Sequence, residues 1–266
     1  MRLSLTIQYL GTAYAGWQAQ DNALAIQTVI ERVLARLYTC DIPVVRLHGA
    51  ARTDTGVHAR MQVAHFDPPF SIPTEGLLRG VNDALPDDIR VIEVRPVPKT
   101  FHALASSLEK EYRYRLWIGD VRPPFLARTT AEGPRDLDLD RLSEAARLLP
   151  GRRDFALFRK TGSTVKTTVR DLREVRIETV SGGNGTLVTF VIRADGFLRG
   201  TVRLLVGTLL DAGRGRLAVE VPLALLEGDA GAGRIGTAAP ASGLFLWKID
   251  YREPGPPPPP TPPGLW

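Results

Sequence analysis

What most constrains this chain is that its apolar residues keep changing period. Leu3, Leu5, Ile7 and Tyr9 alternate with polar neighbours, which places them on one face of a strand. Ile26, Val29, Ile30, Val33, Leu34 and Leu37 recur instead at helical spacing. Val44 to His48 and Val63 to Phe66 read as strands on either side of a loop running from Arg52 to His58. A helix opens at Pro73-Thr74-Glu75 and stops by Leu85-Pro86, because the residue before a proline is pushed out of the helical region. Ile89 to Val94 is a further strand.

The second half has the same grammar. Tyr112 to Ile118, Arg170 to Val180 and Leu187 to Ala194 are strand-like, with turn residues Ser181 to Gly185 joining the last two. Asp140 to Leu149 is helical, as is the stretch marked by Leu198, Val202, Leu205, Val206 and Leu209 and closed by Asp211-Ala212-Gly213. Leu223 to Leu226 makes a shorter helix and Leu244 to Tyr251 a last, buried strand. Strands and helices mix without strict βαβ alternation, which favours an α+β fold with mainly antiparallel sheet. The halves share a pattern but no sequence repeat. From Pro254 to Pro263 the chain is mostly proline, with too few apolar residues to build a core, so an extended tail is expected there.

Composition narrows the function classes. No apolar run approaches the roughly 20 residues of a membrane-spanning helix, and the alternating N-terminus is unlike a signal peptide, so a cytoplasmic protein is expected. Cys40 is the only cysteine, which excludes an intramolecular disulfide and a cysteine-based zinc site; it reads as a small apolar side chain closing a helix that ends near Tyr38. The formal net charge of +5 favours a polyanionic partner. The cations are 29 Arg and 5 Lys, a bias that genome composition can also produce, so their distribution carries more weight than their total. Between Arg147 and Arg176 there are nine basic residues against three acidic ones, a phosphate-binding surface or simply a solvated basic face.

Asp54 is the candidate for chemistry. It sits in a short polar loop between apolar strands, where a rigid scaffold can present a reactive group. The plain alternative is a turn, with Asp54 bonding its own backbone and Gly56 taking positive φ. Arg52 lies two residues earlier and points the same way in an extended segment, so it can pair with Asp54. A neighbouring guanidinium keeps a carboxylate ionised, which suits a nucleophile and not a general acid.

Arg52-Thr53-Asp54-x-Gly56-Val57-His58-Ala59 followed by Gln62-Val63-Ala64-His65-Phe66 resembles the signature of the tRNA pseudouridine synthase A family. Tyr14-Ala15-Gly16-Trp17-Gln18 and Ile26-Gln27 extend the match upstream. Downstream it continues through Val81-Asn82-x-x-Leu85-Pro86-x-Asp88-Ile89, Phe101-His102-Ala103 and Lys110-x-Tyr112-x-Tyr114. It closes with Asp154-Phe155-x-x-Phe158, Arg199-x-x-Val202-Arg203-x-x-Val206-Gly207 and Ala241-x-Gly243-Leu244-x-Leu246. The resemblance implies isomerisation of uridine to pseudouridine at positions 38 to 40 of the tRNA anticodon arm, with Asp54 as nucleophile. No cofactor or metal is implied, since the reaction is redox-neutral and moves no phosphate.

By the same resemblance Tyr112 stacks on the target base, Arg203 lies near the aspartate and Leu244 lines the base pocket. His58, His102 and Lys110 become candidate RNA contacts, the two histidines having a structural role as the alternative. Two ferredoxin-like halves with joined sheets and a basic central cleft are implied, spanning residues 1–104 and 105–252 before a tail at 253–266. A homodimer is implied too.

Three positions leave the family pattern: Ala51 stands for a usual Gly, Thr55 for a common Ala and Leu104 for a usual Arg. The arginine expected at 104 is then missing altogether, or its work falls to Arg113 or Arg115. Two other classes compete. A non-catalytic RNA-binding module would make Asp54 dispensable, and a hydrolase would need a positioned base and oxyanion site that the sequence does not display.

Overall fold

The computed structural model describes residues 1–39, 45–160 and 165–252. Cys40, Val44 and the proline-rich tail lie outside the described residues. The chain divides into two compact units, one formed by Met1–Glu109 with the chain from Leu246 onward, the other by Lys110–Phe245.

In the first unit the order is β1 (Arg2–Tyr9), α1 (Ile26–Leu37), β2 (His48–Gly49), β3 (His58–Phe66), α2 (Thr74–Ala84) and β4 (Ile89–Val97). β1 runs antiparallel to β3 on one side and to β4 on the other. Leu3, Leu5 and Ile7 are fully buried, and so nearly are Ser4 and Thr6, so this strand is covered on both faces. Helices α1 and α2 touch each other, and α2 lies on β4. Ile26, Ile30 and Leu34 of α1 and Leu77 and Val81 of α2 supply the buried stripes that their spacing demands.

Two readings from the sequence need correction here. The strand expected over Val44 to His48 shrinks to His48–Gly49, paired with His65 and Ala64, although Val45 and Leu47 are still buried. The strand expected from Val63 begins at His58, and all nine of its residues are buried. Its polar members His58, Arg60, Gln62 and His65 hid it, because buried polar groups break the apolar alternation by which strands are recognised.

The second unit contains β5 (Ser107–Gly119) from Lys110 onward, β6 (Ala131–Glu132), α3 (Leu139–Arg147), β7 (Gly151–Asp154), β8 (Val169–Gly182), β9 (Gly185–Ala194), α4 (Thr201–Gly213) and α5 (Val221–Leu226). The sheet order is β5-β9-β8-β7, all antiparallel, with β6 added to β5 in parallel. Gly183 at φ 52° allows the tight connection from β8 to β9. Asp138 caps α3, its side chain accepting from the Asp140 and Arg141 amides. α4 starts at Thr201 and not at Leu198, since Gly200 just before it takes the left-handed φ of 77°.

The last strand, β10 (Leu244–Tyr251), returns to the first unit from Leu246 and lies beside β3. Among the described residues, five helices and mainly antiparallel strands give the α+β class expected. No helix among them is long and apolar enough to cross a membrane.

Candidate active site

Asp54 is half-buried in the segment that connects β2 to β3. Main-chain bonds hold that segment. Ala50 donates to the Val63 carbonyl at 2.8 Å, Trp17 to the Thr53 carbonyl at 3.1 Å and Gly56 to the Tyr14 carbonyl at 3.3 Å. Val57 donates to the Asp54 carbonyl at 3.1 Å and closes the turn, with Gly56 at φ 77°. Gln62 brackets Ala51 from both sides: its Oε1 accepts the Ala51 amide at 3.2 Å and its Nε2 donates to the Ala51 carbonyl at 2.7 Å. Tyr9 and Thr53 share a hydroxyl–hydroxyl bond of 2.8 Å, and burial pushes the Tyr9 phenol far up, so it stays protonated. None of these bonds uses Arg52, whose side chain is exposed.

Two glycines allow the first strand exit to press against this loop. Gly16 has φ +90°, and a Cβ there would stand 2.4 Å from the Thr53 carbonyl oxygen. A Cβ on Gly11 would stand 1.9 Å from the Val57 carbonyl oxygen. Gly11 also donates its amide to His58 Nδ1 at 3.0 Å. His58 is wholly buried, and this bond ties its ring to the first strand exit.

His102 is half-buried, its Nδ1 accepting the Leu104 and Ala105 amides, both at 3.2 Å. His65 accepts the Ala103 amide at 3.1 Å, and its ring lies 4.7 Å from His102 and 5.0 Å from His48. Burial, reinforced by Arg2, pulls the His65 imidazole down to about 4. Among the described residues no group of three or more His, Cys, Asp or Glu could hold a metal ion.

The second unit carries the other predicted residues. Lys110, Tyr112 and Tyr114 alternate along β5 and therefore share a face. Tyr112 is buried with the Phe197 ring edge-on at 5.0 Å. Tyr114 is fully buried, its hydroxyl has no hydrogen-bond partner among the described residues, and a Cβ on Gly243 would touch its ring at 2.9 Å. Leu244, next in sequence, is buried at the start of β10.

Arg203 on α4 is half-buried and clasps the chain at Ala239: its Nε donates to the Ala239 carbonyl at 2.6 Å, and its own carbonyl accepts the Ala239 amide at 2.9 Å. One turn on, Gly207 meets the same segment, where a Cβ would stand 1.9 Å from the Thr237 carbonyl oxygen. The spacing Arg203-x-x-x-Gly207 thus puts a clasp and a close approach on one helix face.

Sequence comparison agrees with these motifs. Residues 5–104 and 145–252 match the family described as tRNA pseudouridine synthase. A tRNA pseudouridine synthase A of Syntrophotalea carbinolica is 42% identical over 247 residues, 93% of this chain and 95% of the relative. That of Pelobacter propionicus is 39% identical over 249 residues, covering 94% and 99%. The Myxococcus xanthus protein is 38% identical over 263 residues, covering 99% and 96%. The chain belongs to the tRNA pseudouridine synthase family.

Within this family of isomerases the chain's three departures have physical readings. Ala51 and Thr55 both keep negative φ, so neither position needs the freedom of glycine. Leu104 is 52% exposed and uses only its backbone, accepting from Ser107. Arg113 is engaged by Glu111 at 2.7 Å, and Arg115 is buried with its guanidinium 5.9 Å from the Phe245 ring. The basic stretch is partly spent locally as well, Arg173 pairing with Asp171 and Arg176 with Glu174 and Glu178.

Tyr9, Gly11 and Gln62 are positioning residues that the sequence did not single out. Gln62 stands inside the signature, and its fixed offset from Ala51 was the one signal available.

Proposed function

We propose that this enzyme converts uridine to pseudouridine at positions 38, 39 and/or 40 of the tRNA anticodon stem-loop, with Asp54 as nucleophile and without a cofactor. The observation that carries the reading is the run of family motifs on nearly the whole chain, with Asp54 on a loop braced by main-chain bonds. Such bracing is what a nucleophile requires, since preorganisation lowers the barrier only if the group cannot relax away.

The reaction breaks the glycosidic bond from C1′ to N1 and forms one from C1′ to C5. The hydrogen on C5 leaves as a proton and N1 gains one, so atoms and electrons balance within the nucleotide. Attack by Asp54 on the ribose or on the pyrimidine ring gives the same balance. In this reading Tyr112 stacks on the extracted base, which any enzyme that takes a base out of a stem must accommodate. Leu244 lines the base site, while Arg203 and Arg52 supply positive charge toward Asp54. His102 is a candidate RNA contact. The protein would act in the cytoplasm as a homodimer on tRNA, reading shape and phosphates more than base edges.

Tritium release from tRNA carrying 5-tritiated uridine tests this. Native protein should release tritium and Asp54→Asn should fall by on the order of 10⁴-fold or more. Equal release from both would remove Asp54 as nucleophile. Binding of tRNA without release by the native chain would favour an RNA-binding module instead.

A further inference from the structure

The least expected side chain of the second unit is Lys110. It is only 7% exposed, and among the described residues its ammonium has no hydrogen-bond or ion-pair partner. Its neighbourhood makes matters worse for a cation. Arg170 adds like charge, and Asp195 offsets this only in part. One oxygen of the Asp195 carboxylate, Oδ1, accepts the Asp171 amide at 3.0 Å. A buried charge without a partner is costly to the fold, so its presence calls for a ligand that offsets the cost.

Placement says which ligand. Lys110 pairs across the sheet with Ala194, and Tyr112 pairs with Ile192. The segment that leaves β9 there is Asp195-Gly196-Phe197. Phe197 sets its ring against Tyr112 at 5.0 Å, while a Cβ on Gly196 would touch Arg170 Nε at 3.4 Å. One short loop therefore lies over the aromatic ring and beside the second cation. Lys110 and Tyr112 share a face of β5, about 7 Å apart along the strand. That is roughly the span within a nucleotide from base to adjoining phosphate.

We propose that Lys110, seconded by Arg170, binds a backbone phosphate of the RNA strand beside the base that stacks on Tyr112. The inference rests on the reading of the chain as a pseudouridine synthase that uses Tyr112. A phosphodiester supplies what the site lacks, a fixed negative charge with several acceptor oxygens. Burial pulls the Lys110 ammonium down to about 8, with Arg170 acting in the same direction, so a bound phosphate would favour its protonated form.

The test is fluorescence anisotropy of labelled tRNA with the native chain, Lys110→Gln, Lys110→Arg and Arg170→Gln, at several salt concentrations and from pH 7 to 9.5. Lys110→Gln should weaken binding by about tenfold and reduce the steepness of log affinity against log salt by about one. Lys110→Arg should keep the salt slope. The native chain should lose affinity above pH 8, and Lys110→Arg should abolish that loss, since arginine stays charged. Arg170→Gln should weaken binding by less than Lys110→Gln.

Thermal unfolding of Lys110→Met should give a Tm at or above the native value, because a charge without a partner has been removed. An unchanged salt slope in Lys110→Gln overturns the proposal. So does a lowered Tm in Lys110→Met, which would make the residue structural. Lys110→Arg that binds normally but releases no tritium would assign Lys110 to proton transfer and also overturn it. Binding is read apart from turnover, so a native chain that never releases tritium would sink the proposed reaction and leave this test standing.

Discussion

The Asp54 loop of the first unit and strand β5 of the second treat polar groups in opposite ways. Around Asp54, Tyr9 is met by Thr53, Ala51 by both ends of Gln62, and His58 by Gly11. Along β5 the Tyr114 hydroxyl is buried and, among the described residues, unmet, and the largely buried Lys110 has the Asp195 charge to offset only part of its cost. A saturated region is rigid, because moving it breaks several bonds at once; an unsaturated one stores demand for a ligand. Geometry is thereby held by the loop and receptivity by the strand, and the contrast can be broken experimentally at either end.

The largest expected effect is at Gly16. Gly16→Ala adds a Cβ against the Thr53 carbonyl and forces alanine into positive φ. A loss of about 3 kcal/mol in stability is expected from overpacking and the strained backbone together, with tritium release falling as Asp54 is displaced. A native-like Tm would show that the loop is not pinned at this point.

Next comes the protonation state of His65 on β3. His65 Nδ1 accepts the Ala103 amide, and this requires the neutral ring. With a folded value near 4 against 6.5 unfolded, the native state binds fewer protons than the unfolded chain. Stability is therefore fully present above pH 6.5 and is lost as pH falls toward 4, by on the order of 2 kcal/mol. Urea unfolding between pH 7 and 4.5 should show this slope, and His65→Asn, which keeps an acceptor but cannot titrate, should flatten it.

The smallest effect gives the sharpest comparison. Tyr9→Phe removes a satisfied buried hydroxyl and should cost about 1 kcal/mol, leaving Thr53 short of a partner. Tyr114→Phe removes an unsatisfied one and should be neutral or slightly stabilising. Matched calorimetry of the two variants decides it; equal losses would mean that β5 is as saturated as the Asp54 loop.

Much of this was legible beforehand, for reasons that are local. Helix α1 was read to its last residue from its stripe, and α2 from Pro73 and Leu85-Pro86, because periodicity and proline act within a few residues. The position of Asp54 on a loop between strands came from the same kind of signal. What stayed hidden depends on partners far along the chain. The burial of His58 is fixed by Gly11, the role of Gln62 by the backbone of Ala51, and the true start of β3 by neighbours β1 and β10. Short β7 had no alternation to reveal it, being Gly-Arg-Arg-Asp.

The glycine contacts around Asp54 have one more consequence, for how the protein can evolve. Amides and carbonyls fix much of the loop, joined by the side chains of Tyr9, Thr53, His58 and Gln62, so the side chains at 51 and 55 carry none of that duty. Alanine at 51 and threonine at 55 keep negative φ and leave those bonds in place. Substitution at exposed Thr55 should leave the loop in register, whereas a single methyl group at 11 or 16 should not.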